Sequence, residues 1–267
     1  MREVRLNLRF RDGAFSAGIE VPEEPMRAVD LLPILHELSD ALIGVAVAEA
    51  ELQGRRVSCR AGCGACCRQI VPISEMEARY LADLIAAMPD ERRERVMTRF
   101  AQVVATLRAS GLLEAPSAPG EGHRLGMEYF KLGLPCPFLE DESCSIHEHR
   151  PASCREYLVT SPAANCSAPT GENIQMVELP AKLSQVLYRF RDGRGEERTG
   201  CGGVLPENAK PDASHARCAR LHEEPARWMP LPLLLEWAAE HRDDAQPTVP
   251  GRELFRNLTS RLTVRGT

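Results

Sequence analysis

Eight cysteines in the first two thirds of the chain are the side chains best suited to chemistry. They are Cys59, Cys63, Cys66, Cys67, Cys136, Cys144, Cys154 and Cys166. The first four fall within nine residues, which is far denser than cysteine's ordinary use as a small core residue requires. Thiolates are soft ligands that suit zinc and iron–sulfur clusters. The spacing therefore predicts a metal site.

The local path of residues 59–67, called the cysteine knuckle below, is predicted to be a loop. In a helix its four sulfurs would fall within an arc of about 100°. Gly62 and Gly64 instead favour a tight turn, because glycine accepts positive φ and allows backbone N–H groups to approach sulfur.

The adjacent pair Cys66 and Cys67 bears on the number of metal ions. Neighbouring side chains diverge in regular structure, and a closed structural zinc takes four ligands. Two metal ions or a cluster therefore explain eight thiols better than one zinc does. The alternative is that several of these cysteines are buried small hydrophobic residues.

Composition limits the other possibilities. The chain has 267 residues, 43% of them hydrophobic, and a net charge of -5 with acidic and basic residues well mixed. This predicts a folded protein of one large or two modest domains, with no nucleic-acid partner. The N-terminus lacks a signal-peptide pattern, and the longest apolar run, residues 41–48, is too short to span a membrane. We therefore expect a cytoplasmic protein without a membrane segment, whose cysteines are thiolates rather than disulfides.

The N-terminus predicts a β-hairpin. Apolar residues alternate from Val4 to Phe10 and again from Phe15 to Val21, on either side of Asp12-Gly13, which is typical of a type I′ turn. Its arginine-rich outer face fits either a solvated edge that resists aggregation or a partner-binding surface.

Helical spacing of apolar residues predicts most of the remaining structure. Asp30 is expected to cap the first helix, and Ser74 with Glu77 forms a capping box for the second. The expected helices cover residues 30–54, 74–88, 90–110, 179–190 and 231–241, with a helical turn at 127–131. Residues 135–139 are expected to form a rigid turn around Cys136, and residues 242–267 a loosely attached tail.

These elements predict a mostly α fold with an N-terminal β-hairpin, in which helices hold irregular, cysteine-rich metal-binding loops. Three parts are expected: residues 1–55 with the hairpin and long helix, residues 56–166 as the metal-binding domain, and residues 167–267 as a C-terminal extension on the same core.

Other polar residues have expected supporting roles. With eight thiols present, His147 and His149 are predicted to lie outside the metal's ligand set. Guanidinium groups close to candidate ligands would offset thiolate charge; these are Arg60, Arg68, Arg150 and Arg155. A separate zinc site is an alternative to incidental placement for Cys201, His215, Cys218 and His222.

The cysteine knuckle, the Pro135–Leu139 turn and the run from Cys144 through Arg150-Pro151 to Cys154-Arg155 together resemble the CxxCxxCC (YkgJ-type) cysteine-cluster family. The resemblance covers about residues 56–166 and implies a zinc- or iron-chelating domain. Two departures concern ligand geometry: the first spacing is three residues rather than two, and His147 replaces a tyrosine common after the isoleucine.

A related cysteine arrangement occurs in flagellin lysine methylases, which would imply an iron–sulfur cluster and S-adenosylmethionine. The chain has no glycine-rich nucleotide loop after a strand to support that alternative. The expected function is thus a metal-binding protein that holds zinc or iron, the latter as an iron–sulfur cluster, with metal ions as partners. Whether the metal is structural or takes part in catalysis stays open, as do the substrate and any protein partner.

Overall fold

The computed structural model describes residues 1–10, 13–112, 121–190 and 227–262. Its α-helices are α1 (Leu32–Leu52), α2 (Glu75–Ala86), α3 (Asp90–Ala109), α4 (Glu121–Lys131), α5 (Ala152–Glu156), α6 (Leu183–Leu187), α7 (Leu234–Glu240) and α8 (Gly251–Thr259). Its strands are β1 (Arg2–Phe10), β2 (Gly13–Val21), β3 (Pro25–Arg27), β4 (Pro72–Ile73), β5 (Leu139–Glu140), β6 (Ser143–Cys144), β7 (Met229–Pro230) and β8 (Thr248–Pro250). The predicted fold class, mostly helical with an N-terminal hairpin, is confirmed. The three-part division stays a prediction.

The N-terminal hairpin pairs β1 with β2 in antiparallel register, with Val4 opposite Ile19 and Leu8 opposite Phe15. Val4, Leu8 and Phe15 are buried, so the period-two pattern does place one face against the core. The expected turn includes Asp12, which lies outside the described residues.

Helix α1 runs along the main hydrophobic core. Leu35, Leu38 and Leu42 are buried there together with the apolar face of the hairpin. The predicted cap at Asp30 is wrong: a 3-10 turn over Ala28–Leu31 precedes the helix, and Asp30 accepts a 2.9 Å hydrogen bond from Nε of Arg27 instead. Asp30 therefore pairs with Arg27 and does not cap the N-terminus of α1.

The helical stretch Ala28–Leu52 is long and apolar enough, by length and composition alone, to cross a membrane. Core helices of soluble proteins pass the same test, and 44% of the 18-residue apolar window within this stretch is buried inside the protein. Packing of its leucines in the main core accounts for its apolar character.

Helices α2 and α3 form a second core together with the loops that follow them. The capping box is present, since Oγ of Ser74 accepts from the backbone N–H of Glu77 and the Glu77 side chain accepts from the N–H of Ser74. Helix α3 ends at Ala109, close to the end that Gly111 predicts, and Gly111 has a φ of +70°, which is typical of a residue just after a helix. Phe100 and Phe138 meet edge to face in this core, which anchors the segment after Cys136.

The expected loosely attached tail is wrong for residues 248–262. Strand β8 pairs with β3, Met26 opposite Val249, and α8 then buries Leu254, Phe255 and Leu258 in the main core. The apolar spacing of α8 was visible in the sequence, but its docking depends on a strand more than 200 residues away. Residues 263–267 lie outside the described part of the chain.

Candidate metal centre

The cysteine knuckle is a loop, as its glycines predict. The N–H of Cys63 donates to the carbonyl of Arg60 at 3.1 Å, and Gly62 takes φ +78°, which a side chain would strain. A 3-10 turn over Ala65–Arg68 then carries Cys66 and Cys67.

Gly64 lets the β5–β6 hairpin lie directly against the knuckle. A Cβ atom at this position would stand 2.7 Å from Cδ1 of Leu139 and 2.8 Å from the carbonyl oxygen of Glu142. The contact is reinforced by Arg68, whose Nη2 donates to Oε1 of Glu142 at 2.6 Å. Cys144 pairs with Leu139 in this hairpin, so the same contacts bring Cys144 to the knuckle.

Cys136 is attached to the knuckle through its backbone. Its N–H donates to the carbonyl oxygen of Cys67 at 2.7 Å. The N–H of Leu139 donates back to the Cys136 carbonyl at 2.8 Å, which closes the predicted turn. Helix α3 also contacts this region, because Nη1 of Arg99 donates a 2.8 Å hydrogen bond to Oε1 of Glu140, the residue after the turn.

Cys154 is carried by the short helix α5. Ser153 donates from Oγ to the carbonyl of Pro72 at 2.9 Å, just beyond the knuckle. The first N–H of the helix, at Ala152, donates to Oε1 of buried Glu77 at 2.8 Å. Glu77 therefore satisfies the N-termini of both α2 and α5.

Cys166 lies in a 3-10 turn over Ala163–Ser167 that packs on the knuckle's 3-10 turn. The side-chain amide of Gln69 donates to the Cys166 carbonyl at 3.4 Å and to the Tyr157 hydroxyl at 3.3 Å. At the other end of the knuckle, the N–H of Ser58 donates to the carbonyl of Val159 at 2.9 Å. Every segment that carries a predicted ligand is thus joined to the knuckle or to its flanks.

The eight thiols are free; Cys166 is buried and the others are half-buried. Burial raises the pKa of Cys59, Cys144 and Cys166, and raises that of Cys136 to about 12. The charge of a Cys66 thiolate adds a smaller increase at each of these four sites, so Cys66 lies within electrostatic range of all four.

Cys66 and Cys67 interact directly. The Cys67 thiol donates a hydrogen bond to the sulfur of Cys66, which lowers the pKa of Cys66 and raises that of Cys67. Metal binding at either thiol would displace this proton.

Arg150 is the cation that faces the thiols. Burial raises the pKa of Cys59, Cys144 and Cys154, and at Cys66 it opposes the lowering caused by the hydrogen bond from Cys67. The charge of Arg150 acts against burial at all four thiols, with a smaller effect on the pKa. Arg155 is used differently: Nη1 donates to both carboxylate oxygens of Asp40, at 2.9 and 2.7 Å, and joins α5 to α1. Of the four predicted arginines, Arg150 and Arg68 act next to the thiols, while no described contact brings Arg60 to them.

The two histidines lie outside the thiol group, as expected. His147 is exposed, and Nδ1 of His149 shares a 2.7 Å hydrogen bond with the hydroxyl of Tyr80. Two tyrosines that the sequence did not single out do lie beside it. Tyr157 shares the Gln69 amide with the Cys166 carbonyl, and its hydroxyl accepts from Gln69 at 3.3 Å. Burial, and after it the charge of a Cys136 thiolate, raises the pKa of Tyr129. The only available signal for Tyr157 was its position three residues after Cys154.

The donor chemistry fits a soft cation. Burial and mutual repulsion both disfavour a set of neighbouring thiolates, and a metal ion relieves both. In the described residues, no three Cys, His, Asp or Glu side chains are spaced as the ligands of one ion. The backbone therefore gathers the thiols without completing a coordination shell. The predicted second site at Cys201, His215, Cys218 and His222 lies outside the described residues.

These features define a thiolate-rich site of the metal-binding class. Residues 58–177, under half of the chain, match the family model of the CxxCxxCC domain, described as a putative zinc- or iron-chelating domain. The resemblance indicated by the sequence is thereby confirmed for this segment, and the description supports metal binding. No curated protein and no solved structure is significantly similar to the chain.

Proposed function

We propose that this protein holds zinc or iron in one polynuclear thiolate centre formed by its eight clustered cysteines. The observation that carries the proposal is the set of cross-segment hydrogen bonds centred on the knuckle. Cys136 bonds to Cys67, Gln69 to Cys166, and Ser58 to Val159. These bonds hold the stretches around residues 136 and 159–166 against the knuckle, so cysteines that are distant in sequence are carried to one region of the fold.

The number of donors argues for more than one metal ion. A closed zinc site uses four ligands at about 2.3 Å, so eight thiolates suit two zinc ions with bridging sulfurs or an iron–sulfur cluster. The position of Cys66 and Cys67 next to each other in one 3-10 turn supports bridging, because adjacent sulfurs are more easily shared between two ions than directed at the same one.

The first experiment is metal analysis with an absorption spectrum of protein purified without oxygen. Zinc thiolates are colourless, whereas iron–sulfur clusters are brown and absorb in the visible region. We expect more than one metal ion per chain, and expect Cys66→Ser and Cys67→Ser each to lose more than one.

The comparison variant is Cys218→Ser, which changes a cysteine outside the eight and inside the candidate second zinc site. It should retain every ion of the polynuclear centre and lose at most one ion, that of the second site. One metal ion per wild-type chain, unchanged in the Cys66 and Cys67 variants, would refute the polynuclear centre. Loss of more than one ion from the Cys218 variant would show that the eight cysteines are not the whole ligand set.

The proposal also includes a cytoplasmic location, because eight neighbouring free thiols persist in a reducing compartment and oxidise elsewhere. Fractionation of cells that produce the protein, followed by quantification of free thiols, tests this. Recovery outside the cytoplasm with the cysteines paired would contradict it.

A further inference from the structure

A groove of about 620 Å³ runs between strand β1 and helix α8, and none of the eight clustered cysteines lines it. One wall is formed by consecutive residues 3–8 of β1. The other is one face of α8, with Arg252, Phe255, Arg256 and Thr259 at three- and four-residue steps. A strand and a helix that lie side by side thus form the two walls of one channel.

The strand wall has unused hydrogen-bonding capacity. In the described part of the chain, β1 pairs only with β2, and no other backbone group bonds to it. Alternate residues of an antiparallel strand direct their N–H and C=O groups away from their partner. Such an edge accepts a further strand, which is a common way for proteins to bind extended peptides.

The groove is firm rather than collapsible, because its floor belongs to the core. Phe255 has no exposed surface and packs with Val4 and Leu8 beneath the hairpin. An incoming chain would therefore meet a preformed edge. Its alternate side chains would point either toward α8, where Arg252 and Arg256 lie, or toward the outer face of the hairpin, where Arg5 lies.

Charge selects the kind of chain that fits. Arg5, Arg252 and Arg256 line the groove against a single acid, Glu3. Among the described residues, none of the three arginines has a carboxylate partner within 4.0 Å. Nε of Arg252 is also buried with no hydrogen-bond partner, which is a costly arrangement unless an acceptor occupies the groove.

We propose that this groove binds an extended acidic segment of a partner protein, which adds to β1 as a third strand and places carboxylates on the groove arginines. The backbone edge supplies affinity and the arginines supply selectivity. The site is separate from the metal centre and does not depend on its identity.

The test uses the full-length protein and two fluorescein-labelled eight-residue peptides, one alternating valine and glutamate and one alternating valine and lysine. Fluorescence anisotropy should detect binding of the glutamate peptide only. A glutamate peptide with N-methyl groups on alternate residues removes the donors of one strand edge. Methylation at one of the two possible phases should abolish binding, and methylation at the other should not.

Variants separate this site from general charge attraction. Arg5 and Arg256 are exposed, so Arg5→Glu/Arg256→Glu should fold normally and bind the peptide roughly tenfold more weakly, because two attractions become repulsions. Arg95→Glu, a reversal at an exposed arginine of α3, is the matched control and should bind like wild type. Arg252→Met should also weaken binding while unfolding no more easily than wild type, since it removes an unsatisfied donor.

Three outcomes would overturn the proposal. The first is equal binding of the glutamate and lysine peptides, and the second is loss of affinity in the Arg95 control equal to that of the groove variant. The third is a dimer in sedimentation experiments that the glutamate peptide does not dissociate, which would assign the edge to a second copy of this chain.

Discussion

Glu77 offers the sharpest test of how the frame of the metal centre is held. Its side chain is 1% exposed and accepts three hydrogen bonds of 2.8 Å, from the N–H and Oγ of Ser74 and from the N–H of Ala152. Replacing Glu77 by alanine removes both carboxylate oxygens and with them all three hydrogen bonds. Two backbone donors at helix N-termini are then left without partners inside the protein.

The size of the effect follows from those two donors. Each buried N–H without a partner costs about 1–3 kcal/mol, so the simple sum is about 2–6 kcal/mol. Water entering the vacated space and removal of a buried carboxylate both reduce the loss, so we expect about 3 kcal/mol for Glu77→Ala. Glu77→Gln retains one carbonyl acceptor, so its loss should be smaller, about 1–2 kcal/mol.

The measurement is urea unfolding of metal-loaded protein followed by circular dichroism. The matched control is Glu75→Ala, in the same first turn of α2 but with no side-chain hydrogen bond in the described structure, for which we expect less than about 1 kcal/mol. Equal losses at the two positions would refute the role assigned to Glu77.

The pH dependence of the same residue gives a second readout. Burial raises the pKa of Glu77 in the folded protein above its usual 4.5, because desolvation outweighs the hydrogen bonds it accepts. The folded state therefore holds the proton more tightly than the unfolded state. This contribution to stability is complete below pH 4.5 and is lost as the pH rises through the folded-state pKa. Glu77→Gln should lack it, so wild type should lose stability relative to the variant as the pH increases across that window.

Three further predictions concern the contacts around the thiols. Gly64→Ala should lower the free energy of unfolding by about 1–3 kcal/mol and reduce metal retention, because its Cβ would lie 2.8 Å from the carbonyl oxygen of Glu142. The control is Gly126→Ala in α4, where the nearest contact of a Cβ is an ordinary 3.6 Å. It should be neutral or stabilising in the same urea assay. Arg155→Met should lower the free energy of unfolding by about 1–3 kcal/mol. A double-mutant cycle with Asp40→Asn should give a coupling energy of only about 1 kcal/mol, because the Asp40 side chain is 55% exposed. A coupling energy of zero would contradict the ion pair. Metal affinity, measured by competition with a chelator, should fall as pH is lowered from 8 to 6, since protons bound by thiols of raised pKa must be displaced by the metal; an increase would exclude the thiols as ligands.

The elements that sequence reasoning predicted correctly are those specified by local patterns. The hairpin alternates with period two, and α1, α2 and α3 repeat at three and four residues with Ser74 and Gly111 marking ends. Helix α8 has the same kind of signal, but we expected a tail because nothing local showed what its apolar face would cover. The answer lies in β3 and the hairpin, at the other end of the chain.

The candidate site also has some features that local sequence predicts and others that depend on distant residues. Cysteine identity and spacing were enough to predict the thiols and the loop that carries four of them. Their neighbours were not predictable, because Glu77 and Ala152 are 75 residues apart and Arg155 and Asp40 are 115 apart. Arg155 was expected to face the thiols on the basis of proximity in sequence; its partner on α1 fixes it elsewhere. The iron–sulfur methyltransferase alternative stays a prediction from resemblance.

Residues between and next to the cysteines determine where the sulfurs lie, which the spacing of the cysteines alone does not show. Gly62 supplies the positive φ that turns the knuckle, Gly64 admits the β5–β6 hairpin, and Arg68 pairs with the acid at that hairpin's tip. None of these residues is a metal ligand in any version of the site. Yet each determines whether the sulfurs of Cys66, Cys67 and Cys144 can approach one another. A substitution at Gly62, Gly64 or Arg68 should therefore reduce metal retention as a cysteine variant does, although all eight sulfur donors remain. Such a variant distinguishes misplaced ligands from missing ligands.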